Sequence, residues 1–223
     1  MMNYLLLFLA VALGYGIALF FKTKKIKQIS LYLAFSGAFL LAITVFELLP
    51  EVFETPSKSI GIFIMIGILL QIFLEFFSKG AEHGHVHIHE AKQNFPWLLF
   101  ISLSIHALLE GFPISEENNL LIGIIIHKIP VAIILSFFFI KAGYSRTITV
   151  LFLFLFALMT PIGNFISENS SLINTYHTEI TAVVIGIFLH VSTTILFESS
   201  SNHKFDLSKM IAVVVAILLA YFL

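Results

Sequence analysis

Long apolar stretches separated by short polar breaks run along almost the whole chain. A helix that spans a bilayer needs about 20 predominantly apolar residues, and eight such stretches can be counted. They lack the alternation of barrel strands, and backbone groups in hydrocarbon must pair internally. We therefore predict an all-α polytopic membrane protein whose eight transmembrane helices cover residues 4–21, 30–49, 59–77, 96–113, 119–140, 147–167, 178–199 and 208–223.

The composition agrees with a membrane bundle and excludes several other classes. Of 223 residues, 59% are hydrophobic and 11% are charged, whereas a soluble domain is about one-quarter charged. The predicted helices leave no room for a soluble domain, so we expect one transmembrane bundle over residues 1–223. No basic face is present that could bind nucleic acid. Because the chain has no cysteine, any metal must be held by nitrogen and oxygen ligands, and we expect no prosthetic group.

The positive residues predict the orientation of the helices, because short cytoplasmic loops carry an excess of Lys and Arg. Among Lys and Arg residues, predicted loops two, four and six contain only Lys58. The odd loops contain Lys22, Lys24, Lys25, Lys27, Lys79, Lys92, Lys141, Arg146, Lys204 and Lys209. We therefore predict cytoplasmic odd loops and extracytoplasmic termini, and we expect the bacterial inner (plasma) membrane as the location.

The third predicted loop, residues 78–95, is unusually rich in histidine. Its four histidines occupy every second position and have acidic neighbours; they are His83, His85, His87 and His89. Short His-rich tracts are typical of metal binding. We expect loose capture of metal ions on the cytoplasmic side, and the alternative is a solvated loop without a specific role.

Ionisable side chains inside predicted spans are energetically costly and therefore indicate function. His106 and Glu110 are four residues apart in the fourth span, so they share one helix face and could chelate a single ion. The fifth span contains His127 and Lys128. The sequence therefore favours a polar site between these two spans.

The predicted depth of the two histidines strengthens this interpretation. The fourth loop is short, and His106 and His127 are nearly equidistant from its tip, roughly 13–15 Å below the outer surface and close to the middle of a ~30 Å core. Two imidazoles and the Glu110 carboxylate suit Zn²⁺, and also Fe²⁺ or Mn²⁺. The alternative pairs Glu110 with Lys128 as a buried salt bridge and uses the histidines as hydrogen bonds between helices.

Other polar residues in spans could line a pathway for the ion. Glu47 lies near the outer end of the second span, and His190 lies deep in the seventh. Glu75, near an inner end, could instead lie in interfacial water. We predict that Glu47, His190 and Lys128 are auxiliary to the pathway, with His190 as an outer-sphere or exit ligand.

Several short motifs, in order along the chain, resemble the ZIP family of divalent-metal transporters. Residues 106–111 keep the His, Glu and Gly of the family's fourth-span motif His-Asn-x-Pro-Glu-Gly, and residues 127–131 are similar to its fifth-span motif His-Glu-x-Pro-His. Residues 47–51, 157–163 and 188–191 resemble family segments in spans two, six and seven. The resemblance implies transport toward the cytoplasm by movement of a substrate-carrying bundle.

The chain departs from the family's pattern at three positions. Ala107 and Lys128 replace the two residues that hold a second metal ion in the family, and Val131 replaces the last fifth-span ligand. The ammonium group of Lys128 supplies the positive charge that a second metal ion would bring to this position. The resemblance therefore implies a single-ion site formed by His106, Glu110 and His127.

Taken together, these features predict a transporter of a divalent transition-metal ion, zinc foremost and otherwise iron or manganese, and not an enzyme. An intramembrane zinc-dependent hydrolase is the first alternative, but the general base of an HExxH motif is missing. A transport-inactive metal sensor is the second. The expected partners are the metal ion and the lipid bilayer, and a homodimer is left open.

Overall fold

The computed structural model describes residues 2–21, 29–54, 58–78, 95–115, 118–198 and 207–223. Within these residues every regular element is helical, which confirms the predicted all-α class. The prediction for the histidines of the third loop, His83, His85, His87 and His89, lies outside the described residues.

The helices follow the predicted apolar stretches. Six segments of the described residues are long and apolar enough to cross a membrane, whereas α5 and α10 have only 13 and 15 residues. A π-helical turn, Thr44–Leu48, joins α2 to α3. The helices are α1 (Met2–Phe21), α2 (Ile29–Ile43), α3 (Leu49–Phe53), α4 (Lys58–Ser78), α5 (Trp97–Leu109), α6 (Leu120–Lys141), α7 (Arg146–Asn169), α8 (Ser171–Thr175), α9 (His177–Glu198) and α10 (Leu207–Tyr221).

The π-helical turn has a local cause in the sequence. Pro50, at the start of α3, has no backbone N–H and its ring would collide with the carbonyl group four residues earlier in a regular helix. A widened turn relieves this conflict. The turn contains Glu47, so a carboxylate lies within the distorted segment that follows α2.

Helix α5 ends early, and polar side chains of α7 bind the backbone that follows it. Helix α5 ends at Leu109, Glu110 caps its C-terminus, and residues 111–115 are turn or irregular structure. Asn164 donates through Nδ2 to the Ile114 carbonyl at 3.0 Å, and Ser167 donates through Oγ to the Phe112 carbonyl at 2.8 Å. These bonds satisfy carbonyl groups that a longer helix would have paired internally.

The helices pack as two groups of four. In the first helix group, α10 packs on α2, α2 on α9, and α9 on α4. In the second helix group, α5 packs on α7, α7 on α1 and α6, and α1 on α6. Contacts of α2 with α6 and of α4 with α5 join the two groups. Two helix pairs approach closely at glycines. Helices α4 and α9 meet at Gly67 and Gly186, and the turn after α5 meets α7 at Gly111 and Gly163.

Candidate metal centre

The end of α5 carries the first two predicted ligands. His106 and Glu110 are buried, with 3% and 1% of their surface exposed. Their spacing of four residues brings His106 Nε2 to 3.7 Å from Glu110 Oε2. Both groups therefore face the same side of α5, as the sequence predicts.

The Glu110 carboxylate is neutralised by a lysine from α6. Lys128 is 1% exposed, and its Nζ lies 2.5 Å from Glu110 Oε1. Thr160 of α7 donates to the same oxygen at 2.5 Å. The ammonium also lies 4.6 Å from the centre of the Phe156 ring, within the range of a cation–π interaction. The charge pairing given above as the alternative is therefore present, and three helices of the second helix group contribute to it.

The third predicted ligand borders the same space. His127 of α6 is 3% exposed. Together with His106, Glu110 and Lys128 it lines a cavity of about 10 Å³, whose remaining lining is apolar: Leu103, Val131 and Phe156. A cavity of this size has room for about one water molecule or ion.

The structure brings the predicted ligands to one cavity without placing them in a ligand shell. Among the residues that the structure describes, no three His, Asp or Glu side chains have the mutual arrangement of a metal site. Glu110 binds Lys128 instead. The assignment of His106, Glu110 and His127 as ligands therefore stays a prediction.

Comparison with known proteins decides the family. The family described as ZIP zinc transporter matches residues 80–223, which is more than half of the chain. The chain belongs to the ZIP zinc transporter family. This confirms the family that the motifs indicate, and a family of transporters agrees with the expectation that the chain is not an enzyme. The apolar helices and the family together make this ZIP protein an integral membrane protein.

Two relatives match parts of this ZIP protein. Protein zntD of Dictyostelium discoideum is 35% identical over an alignment of 104 positions, which covers 39% of this chain and 15% of zntD. Zinc transporter ZIP1 of Danio rerio is 29% identical over an alignment of 89 positions, which covers 37% of this chain and 30% of ZIP1. The matched segments therefore span less than a third of either relative.

A glutamine that the sequence analysis did not single out contacts His106, the first predicted ligand. Gln71 of α4 is fully buried, and its Oε1 lies 3.0 Å from His106 Nδ1. Thr160, which binds Glu110, was also missed. The available signals were an isolated amide in the middle of the third apolar span, and a hydroxyl just before Pro161 in a segment that resembles the ZIP family.

Glu47, predicted to be auxiliary, binds the start of α6. Its Oε2 accepts a hydrogen bond from the Asn119 backbone N–H at 2.7 Å, and its Oε1 accepts one from Asn119 Nδ2 at 3.0 Å. Carboxylates stabilise the N-terminus of a helix, where the backbone N–H groups have no internal partner. In this ZIP protein, Glu47 therefore links the two helix groups, and a role in the ion pathway stays a prediction.

His190, also predicted to be auxiliary, pairs with Glu75. His190 Nε2 lies 2.6 Å from Glu75 Oε2, and about one-fifth of each side chain is exposed. The pair joins α9 to α4 within the first helix group. Glu75 is four residues beyond Gln71, so the two lie one helical turn apart on α4. A role of His190 as an exit ligand stays a prediction.

Proposed function

We propose that this ZIP protein transports a divalent transition-metal ion toward the cytoplasm, with zinc as the first candidate and iron or manganese as the others. One observation carries the proposal: His106, Glu110, His127 and Lys128 are buried around a single cavity between helices of an integral membrane protein. Buried ionisable groups of this kind mark ion pathways in membrane proteins. The relative named zinc transporter ZIP1 supports zinc.

The geometry at the end of α5 suits chelation of one ion. Zinc lies about 2.0–2.2 Å from nitrogen and carboxylate ligands. The separation of 3.7 Å between His106 Nε2 and Glu110 Oε2 is therefore close to that of two ligands on one ion. His127 lines the same cavity and is the third ligand in our proposal.

Lys128 limits the site to a single ion. Its ammonium lies against Glu110 Oε1, at a position where the family resemblance places a ligand of a second ion. An incoming ion therefore shares the carboxylate with Lys128 or displaces it, and a second divalent ion would be repelled.

We also propose that the chain has eight transmembrane helices in one bundle, with both termini outside. The short helices α5 and α10 are apolar, and irregular backbone buried in protein can complete a span. The orientation is supported by the distribution of Lys and Arg, and the bacterial inner membrane stays a prediction.

The helix grouping supports a transport mechanism in which the site moves. The proposed ligands and Lys128 lie on α5, at its C-cap or on α6, within the second helix group. The ZIP resemblance implies alternating access by movement of a substrate-carrying bundle, and the second helix group is our candidate for that bundle.

A transport-inactive metal sensor is the second candidate function. The observation that favours it is the ion pair between Lys128 and Glu110, which occupies one predicted ligand. A sensor would bind the ion without moving it, whereas a transporter must bind and release it.

Uptake into proteoliposomes tests the proposal. We expect the wild type to take up Zn²⁺, Fe²⁺ or Mn²⁺, and His106→Ala to reduce the rate at least about tenfold, since loss of even an outer-sphere partner costs 10–100-fold. His177→Ala, which removes a surface histidine, is the control and should leave uptake unchanged. Uptake that survives His106→Ala would overturn the site, and no uptake of any of the three ions would favour the sensor.

A further inference from the structure

Gln71 places an amide from the first helix group against a ring in the second. The residue is fully buried in α4, and its Oε1 lies 3.0 Å from His106 Nδ1. The amide Nε2 has no hydrogen-bond partner among the described residues. Most buried polar atoms have a hydrogen-bond partner. In this side chain the amide oxygen has one, and that partner is His106.

We propose that Gln71 is a positioning residue that holds His106 in the tautomer with a bare Nε2 facing the cavity. The inference rests on the proposed function, in which His106 binds the ion. A neutral imidazole carries its hydrogen on one nitrogen only, and an amide oxygen can only accept a hydrogen bond. When Gln71 Oε1 accepts from Nδ1–H, the lone pair that a metal requires is left on Nε2.

The distance between Nε2 and Glu110 agrees with this assignment. The nearest carboxylate oxygen, Glu110 Oε2, lies 3.7 Å from His106 Nε2, beyond the 2.7–3.2 Å of an ordinary N–H···O bond. That contact therefore does not hold a hydrogen on Nε2. With the amide turned by 180°, Gln71 Nε2 would donate to Nδ1, the imidazole hydrogen would move to Nε2, and the ion would be blocked.

Outer-sphere partners of this kind orient metal-binding histidines and raise their basicity, and their loss typically costs 10–100-fold in metal affinity. If Gln71 only filled space between the helices, its variants would behave differently. Gln71→Met keeps the size and apolar surroundings but removes the acceptor, whereas Gln71→Glu keeps an acceptor at the same length and adds a buried charge. The two roles therefore rank these variants in opposite order.

Zn²⁺ affinity of the purified full-length protein, measured by competition with a chelating dye, separates the two roles. The background carries alanine at His83, His85, His87 and His89, so that the third loop does not contribute. We expect Gln71→Met to bind Zn²⁺ about 10–100-fold more weakly, with Gln71→Glu within a few-fold of the background. Leu74→Met, another buried α4 position, is the control and should bind normally. Normal binding by Gln71→Met with impaired binding by Gln71→Glu would overturn the proposal.

A direct measurement of the tautomer completes the test. In metal-free protein with ¹⁵N-labelled histidine, the His106 resonances are those lost in His106→Ala. We expect a protonated Nδ1 and a bare Nε2, with a shift toward the other tautomer in Gln71→Met. An Nε2-protonated ring in the wild type, or an unchanged ring in Gln71→Met, would overturn the inference. If His106→Ala binds Zn²⁺ normally, the proposed function fails instead, so the two failures are distinguishable.

Discussion

Replacing Lys128 with methionine is expected to lower the free energy of unfolding by about 3–5 kcal/mol, because removal of one partner of a buried ion pair leaves the other charge uncompensated. The Glu110 carboxylate is 1% exposed and would keep the Thr160 hydroxyl as a hydrogen-bond donor. Titration of the purified protein with a denaturing detergent measures the change.

Two further variants separate the charge from the packing at this position. Combining Lys128→Met with Glu110→Gln removes both charges and should recover much of the lost stability. Lys141→Met removes an exposed lysine from the end of the same helix and should change stability by no more than about 0.5 kcal/mol. A single Lys128→Met variant as stable as the wild type would show that the pair does not carry buried charge.

Gly67→Val is expected to prevent close packing of α4 on α9 and to abolish most of the folded protein. A Cβ atom at Gly67 would lie 1.9 Å from the Val183 carbonyl oxygen and 3.0 Å from the Gly186 Cα. Both obstacles are backbone atoms, which cannot rotate away as side chains do. The cost should therefore exceed the roughly 1–3 kcal/mol of ordinary core overpacking, and the yield of monodisperse protein after purification measures it.

Gly61→Val is the matched control for this prediction. Gly61 lies on the same helix, is exposed, and a Cβ atom there would meet nothing within 4 Å. It should give a normal yield, since Gly-to-Val changes at both positions alter helix propensity in the same way. Equal yields of the two variants would contradict the importance of the α4–α9 approach.

The helices could be predicted from the sequence because apolar length is a local property of the chain. Early termination of α5 at Leu109 was not predicted, since apolar content continues to Pro113. What permits it is the pair of hydrogen bonds from Asn164 and Ser167 to the following backbone. Those bonds depend on how α7 packs, which no local pattern encodes.

The candidate site, too, could be predicted only in part from the sequence. The spacing of His106 and Glu110 and the depth of His127 were sufficient to predict that these residues border one space. The pairing of Lys128 with Glu110 appeared only as an alternative, because charge partners can be named from sequence but not chosen. Gln71 was missed because its contact with His106 requires the packing of α4 against α5.

The central claim is that one divalent ion binds at His106, Glu110 and His127. Equilibrium dialysis against Zn²⁺ tests it most directly, with the full-length protein carrying alanine at His83, His85, His87 and His89. We expect one bound Zn²⁺ per chain, and binding at least about tenfold weaker after His106→Ala or His127→Ala. Undiminished binding of Zn²⁺ in both variants would contradict it.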